Sequence, residues 1–402
     1  MAIKGCILPW VHIHGDLEGH YKVCCFSEGA SDCDTRYSLG TNKDPLSEVW
    51  NGEKYKNLRK SFLAGEIPDQ CKLPCYDKED LNTLSPRQIS NKEWESYSYL
   101  QEKTSIDGEL KSPPIYIDYR FGNTCNFRCR MCSQWASTSW FKESKELGWG
   151  EGVLFNEWDS NLFWDDFYKI HKYIKEIYFA GGEPLVLESH YKVLQFLIDN
   201  NKTDVHLTYN TNLSHLRFKD YDLLDLWSRF KKVSLYLSLD GIGTPSEYIR
   251  KGLNWNTWTN NLQKVMPYVA NVAATVQVLN IYNIPHLVLW CRRKNLWIHG
   301  TTIVAPPHHD PRIFDEEEKA KISSYYKDFM LKYKNELSRH DINQMFDWLK
   351  FIRGTIPEVE RHRKIFYRVT NQLDKLRNEK LIEAIPELTD WYKRLEKQYG
   401  SP

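Results

Sequence analysis

Between about residues 115 and 305 the chain alternates short strand-like runs with longer amphipathic stretches. Strand candidates fall at 115–121, 176–180, 205–209, 232–239, 273–279 and 297–304. Between them, segments such as 190–199, 221–230 and 258–269 carry apolar residues at helical spacing. Six such strand–helix units in a row predict an α/β fold with a parallel sheet, open or curved into a partial barrel. In either form the loops at the C-terminal ends of the strands make the working face.

Three of those loops carry chemistry. After the first strand comes Cys125-Asn-Phe-Arg-Cys129-Arg-Met-Cys132, a C-x3-C-x2-C spacing. Three thiolates on one short loop can hold three corners of a cubic iron–sulfur cluster, leaving the fourth iron open to bind a small molecule and pass it an electron. A structural zinc site is the alternative. It calls for four closed ligands, and no His or Cys follows Cys132 closely enough to complete one. After the second strand comes Gly181-Gly182-Glu183-Pro184, where two glycines let backbone approach a ligand and bond an amino group. After the fourth comes Ser238-Leu-Asp240-Gly241. The shared rim is what a common site requires.

The ends of the chain differ from this middle. Residues 1–90 hold six of the ten cysteines, few long helices and many turn residues; 91–114 read as a polar linker ending in Pro113-Pro114. From about 311 to 402 the chain reads as charged amphipathic helices without a chemical motif, capping the domain or dimerising, and the charged run from Asp315 to Lys321 reads as a solvated helix start. A net charge of +1 gives no broad footprint for nucleic acid or an anionic membrane. No apolar stretch approaches the roughly 20 residues of a membrane span, and the N-terminus does not read as a signal peptide. Cysteines in tight clusters fit metal ligation in a reducing cytoplasm better than a disulfide framework.

The cysteine triplet after strand one and the Gly-Gly-Glu-Pro after strand two resemble the radical S-adenosylmethionine (SAM) superfamily over about half the chain. That resemblance implies a partial (β/α)6 barrel over 115–310 and a [4Fe-4S] cluster held by Cys125, Cys129 and Cys132. SAM would chelate the open iron and yield a 5′-deoxyadenosyl radical that abstracts hydrogen from a substrate. By position it implies that Gly182 and Glu183 bond the SAM amino group, that Gly181 belongs to the same cofactor-binding loop, and that Ser238 reaches ribose or carboxylate. Arg250 would pair with the SAM carboxylate, Asn210 and Asn212 would lie near ribose, and Gln277 would line the substrate cavity. For the asparagines a plain turn role stays open, and for Arg250 a surface role. A flavodoxin- or ferredoxin-type electron donor is implied as a partner.

The N-terminal segment has its own resemblance. Cys6, Gly19, Cys24, Leu39-Gly40, the Leu46–Asn51 stretch, Leu58-Arg59 and Cys71-x3-Cys75 resemble the SPASM/twitch module, in its shorter form with one auxiliary iron–sulfur cluster. The implied ligands are Cys6, Cys24, Cys71 and Cys75, with Cys25 a rival to Cys24 and a zinc ribbon the alternative use of the four; Cys33 and Cys291 read as plain buried thiols. The familiar modules follow the radical domain, whereas this one precedes it, so it is expected to fold back over the barrel by another route. The expected activity is peptide or protein modification. The alternatives are oxidation or rearrangement of a nucleoside, sugar or aminocyclitol, and a non-catalytic iron–sulfur or zinc scaffold.

Overall fold

The computed structural model describes residues 3–27, 35–80 and 84–400, so Cys33 lies outside the described residues. The chain divides into two compact units. One comprises Met1–Thr124, Leu154–Tyr209 and Arg217–Ser234; the other comprises Cys125–Val153, Asn210–Leu216 and Leu235–Pro402.

The first unit is built on strands β1 (His12–Gly15), β2 (His20–Lys22), β3 (Gly40–Thr41), β4 (Tyr116–Tyr119), β5 (Glu176–Phe179) and β6 (His206–Thr211). Their order is β3-β2-β1-β4-β5-β6. β1, β4, β5 and β6 are parallel, with Ile13 opposite Ile117, Ile117 opposite Ile177 and Ile177 opposite Leu207. Alternate side chains leave a strand on opposite faces. One face therefore carries Ile117, Tyr119, Ile177, Phe179, Leu207 and Tyr209, all buried. Helices α2 (Asn161–Ile170) and α3 (Glu188–Asp199) belong to this unit, and Phe163 of α2 meets the Tyr119 ring edge-on at 5.3 Å. Ser160 starts α2 by accepting a hydrogen bond from the Phe163 amide.

The N-terminal module joins this sheet instead of folding back over it. β1 pairs in parallel with β4, the strand expected to open the barrel, and β2 turns back antiparallel to β1. Gly15 permits the close pairing, since a Cβ there would meet Tyr119 at 2.4 Å and Trp158 at 2.5 Å. Helix α1 (Glu53–Leu63) locks the module: the Tyr55 hydroxyl donates to the His12 carbonyl at 2.8 Å and the buried Arg59 donates to the Pro9 carbonyl at 2.9 Å. Burial lowers the Arg59 pKa to about 10. Residues 91–114 are not a loose linker, because Trp94, Leu100 and Leu110 are buried. The Gln101 side chain pairs with both backbone groups of Lys4, and Thr104 accepts from the Trp10 indole.

In the second unit the end of β7 (Lys232–Ser238) pairs in parallel with β8 (Val269–Val276), and β8 with β9 (Ile298–Thr302). Helices α4 (Trp255–Val265) and α5 (Ile284–Arg293) accompany these strands. β8 starts four residues earlier than its sequence reading and ends before Gln277. The cause is Asn280, whose side chain accepts from the Gln277 amide and donates to the Asp240 and Thr275 carbonyls, curling the chain into a turn. The C-terminal extension forms α6 (Glu316–Lys332), α7 (Arg339–Ile352), α8 (Val359–Arg377) and α9 (Thr389–Tyr399). The start of α6 is less solvated than its charge implies. Glu318 is buried, accepting from the Tyr282 hydroxyl at 2.6 Å and pairing with Arg394 at 3.1 Å. Among the described residues no helix is long and apolar enough to cross a membrane.

Candidate functional site

The cysteine loop lies in the second unit, where its own backbone and the segment around Arg250 shape it. Residues Arg128–Cys129 pair antiparallel with Arg250–Lys251, setting Arg250 directly opposite Cys129. Ser139 donates to the Cys125 carbonyl at 2.7 Å and the Trp140 indole to the Cys129 carbonyl at 3.2 Å. The guanidinium of Arg250 lies 4.0 Å from the Cys129 sulfur and forms a 2.8 Å ion pair with the fully buried Asp240. Burial alone would lower the Arg250 pKa, but Asp240 and Cys129 outweigh it and hold the charge firmly in place. Burial raises the Cys129 thiol, with Arg250 opposing.

The other expected residues of this unit are placed as follows. Asn210 is half-buried at the end of β6; Asn212 is buried, accepting from the Ser214 amide at 2.9 Å and donating to Asn126, next to Cys125, at 3.1 Å. The turn role considered for Asn212 is therefore real, and it also ties this turn to the cysteine loop. Ser238 ends β7. Gln277 is fully buried and its side-chain oxygen and nitrogen have no hydrogen-bond partner among the described residues.

In the first unit Gly181, Gly182 and Glu183 leave β5 at the end where the parallel strands finish. Gly182 has φ of 51°, and a Cβ there would meet the Thr124 carbonyl at 2.4 Å, so no other residue fits without moving backbone. The Glu183 amide donates to that same carbonyl, and its carboxylate accepts from the Leu185 amide.

The sheet face opposite the apolar one was missed by the sequence reading. It carries His12 and His14 of β1, Tyr116 and Asp118 of β4, Glu176 and Tyr178 of β5, and His206 and Thr208 of β6. His14 Nδ1 lies 3.0 Å from Asp118, which also pairs with Arg120 at 3.1 Å. Burial opposes charge on Asp118, but Arg120 and His14 prevail and hold its carboxyl below the usual range. Burial lowers His12 to about 3. The signal was present in the alternation Tyr116-Ile117-Asp118-Tyr119-Arg120, where polar positions are as regular as apolar ones.

At the other end of these strands, the loops entering β1 and leaving β2 bring the module's cysteines together. Cys6, Cys24, Cys71 and Cys75 line one pocket with Leu8, Val23 and Phe62. Asn91 holds the backbone around Cys6 through Ile7 and Gly5, and Arg87, paired with Glu79, donates to the Gly5 carbonyl at 2.7 Å. Burial pushes the Cys6 thiol up to about 12 and raises Cys24, Cys71 and Cys75 as well. Cys25 is not among the lining residues. Cys291 is a buried thiol in α5, as expected.

Residues 119–287 match the family model of the Radical SAM superfamily, and residues 6–76 match SPASM, an iron–sulfur cluster-binding domain. Residues 119–287 are thus a radical SAM domain and residues 6–76 a SPASM domain. Among solved structures it is similar to Streptococcus suis SuiB bound to the precursor peptide SuiA, at 13% identity and TM-score 0.37, covering 72% of this chain and 62% of that one. It is similar to SuiB bound to S-adenosylmethionine at 13% identity and TM-score 0.38, covering 69% and 60%. A third similarity is to TYW1 with a lysine-pyruvate adduct bound, at 13% identity and TM-score 0.29, covering 58% and 80%. The chain thus spans 60–62% of the length of SuiB. Comparison with curated proteins finds no match.

A radical SAM domain with a SPASM domain implies iron–sulfur clusters and the use of SAM, and the donor sets suit both. None of the described cysteines is in a disulfide. Among the described residues no three His, Cys, Asp or Glu side chains stand close enough together to hold a metal ion. Ligation requires the thiolate and releases its proton on binding. Four thiols around one largely apolar pocket, and three on one loop beside a buried arginine, are the chemistry that iron–sulfur clusters take.

Proposed function

We propose that this radical SAM chain modifies a peptide or protein, with Cys125, Cys129 and Cys132 holding a [4Fe-4S] cluster and Cys6, Cys24, Cys71 and Cys75 an auxiliary one. When bound, the first cluster with SAM supplies a carbon-centred radical for hydrogen abstraction. The protein's own residues do the rest. Gly182 and Glu183, with Gly181 beside them, would receive the amino group of SAM, and Arg250, fixed by Asp240, would pair with its carboxylate. Asn210 and Ser238 would contact its ribose. The observation that carries this reading is the antiparallel bridge placing Arg250 opposite Cys129, inside the segment that matches the radical SAM model. The auxiliary module supports the peptide class, because such modules are frequent in peptide-modifying relatives. A flavodoxin- or ferredoxin-type protein would supply the electron.

Anaerobic reconstitution tests the reading. The loaded protein should carry about eight irons if both clusters are of the four-iron type, and should release 5′-deoxyadenosine from SAM and a reductant. Cys129→Ala should abolish release while Cys71→Ala still cleaves SAM. Zinc in the triplet, or full iron loading without cleavage, would overturn it. A second reading, a small polar substrate such as a nucleoside, sugar or aminocyclitol, is favoured by the buried polar sheet face around His14 and Asp118. Deuterium transfer from labelled candidates of each class into 5′-deoxyadenosine decides between the two.

A further inference from the structure

The C-terminal extension lies beyond the segment matched to the radical SAM family, yet its last long helix reaches the residues on both sides of Cys129. Arg130, between the second and third cysteines, is buried. Its guanidinium donates to Asp374 in α8 at 2.6 Å and to Glu379 just beyond it at 2.7 Å. It also donates to the Tyr248 carbonyl at 3.1 Å and lies 3.6 Å from the centre of the Tyr248 ring. The Tyr248 hydroxyl donates to the same Asp374 oxygen, and Lys251 donates to the other oxygen of Glu379 at 2.6 Å. On the other side of Cys129, Arg377 donates to the Arg128 carbonyl at 3.0 Å and pairs with Glu143 at 2.7 Å. Its guanidinium packs 4.8 Å from the Trp140 ring, whose indole holds the Cys129 carbonyl. Asn378, at the end of α8, takes a left-handed conformation (φ 51°) that turns Glu379 back toward Arg130.

We propose that the end of α8 is a positioning brace for the cysteine loop. Asp374 and Glu379, through Arg130, set the charge felt by the cluster that Cys125, Cys129 and Cys132 hold. A helix that only capped the fold would bury apolar side chains against the domain. Here two carboxylates and an arginine are spent on the backbone and side chains adjoining one cysteine, which is how residues behind a metal ligand tune its group. Charges next to a cluster shift its reduction potential, with added positive charge favouring the reduced form. The proposal rests on the three-cysteine reading above.

The test uses the full reconstituted chain and follows the electron paramagnetic resonance signal that changes on adding SAM. Glu379→Gln leaves the Arg130 charge less balanced, so the reduced fraction at a fixed ambient potential should rise several-fold. Lys251→Met removes a positive charge at the outer end of the same network, so that fraction should fall; Glu379→Asp, which keeps the carboxylate, should leave the fraction near that of the parent. Opposite shifts in the two variants support the proposal. Unchanged reduced fractions, or shifts of the same sign, overturn it whatever happens to the melting temperature. Should Glu379→Gln fail to fold, the direction of the shift in Lys251→Met alone decides. A wild-type protein without any SAM-responsive signal would instead sink the three-cysteine reading itself.

Discussion

Two adjacent thiols with the same local sequence face different surroundings. Cys24 lines the pocket of Cys6, Cys71 and Cys75, whereas Cys25 does not. Spacing cannot separate neighbours in a chain; only the turn after β2 decides which side each takes. Iron analysis after anaerobic reconstitution should find that Cys24→Ala retains about half the iron of the parent, while Cys25→Ala retains nearly all of it. Equal losses would remove the assignment. Arg250 shows the same limit from another side. Its sequence context fits a surface arginine as well as a ligand-binding one, and burial beside Asp240 rules out the surface role. Asp240→Asn leaves that charge buried without its partner, a loss of about 3–5 kcal/mol. Urea unfolding of the variant should show a lower midpoint with an unchanged slope.

At the scale of elements, the strands of the barrel were legible from alternation to within a few residues. The pairing of β1 with β4 was not, because about a hundred residues separate them and strand order is a long-range property. This pairing makes the module part of the sheet. Removing residues 1–90 would uncover the hydrogen-bonding edge of β4 together with the apolar surface under Ile13, and exposed edges of buried parallel strands associate. Size-exclusion chromatography of such a truncation should show aggregate; a soluble, folded monomer would mean that the module is an appendage. The Gly-Gly-Glu loop makes a sharper demand. Gly182→Ala forces a Cβ to within 2.4 Å of the Thr124 carbonyl, so the loop must move. SAM cleavage should fall at least about tenfold, equivalent to a loss of roughly 1.4 kcal/mol, with iron content retained.

For the molecule as a whole, two buried histidines and the half-buried His308 bear on stability in acid. Burial lowers His12 and His190 to about 3 and His308 to about 4, against an ordinary value of 6.5. Below pH 6.5 the unfolded chain takes up protons that the folded chain refuses, so stability is complete above that pH and declines as pH falls toward these lowered values. The slope is up to about 1.4 kcal/mol per pH unit for each such histidine. Thermal melting between pH 7 and 4.5 should show this decline, and His190→Gln should lessen it, since the amide retains a partner for the Tyr209 hydroxyl without titrating. An equally steep decline in the variant would assign the acid sensitivity to other groups.

The sequence by itself determined the cysteine triplet, the glycine pair and the strand–helix rhythm, because each is local: a few residues fix the spacing of thiols, the reach of backbone and the period of apolar side chains. Tertiary structure alone decided which of two adjacent cysteines joins a pocket, where the N-terminal strand pairs, and how the last long helix grips the residues beside Cys129. Those outcomes depend on groups that burial and long-range pairing bring together, from stretches whose local pattern reads only as turn, linker or solvated helix.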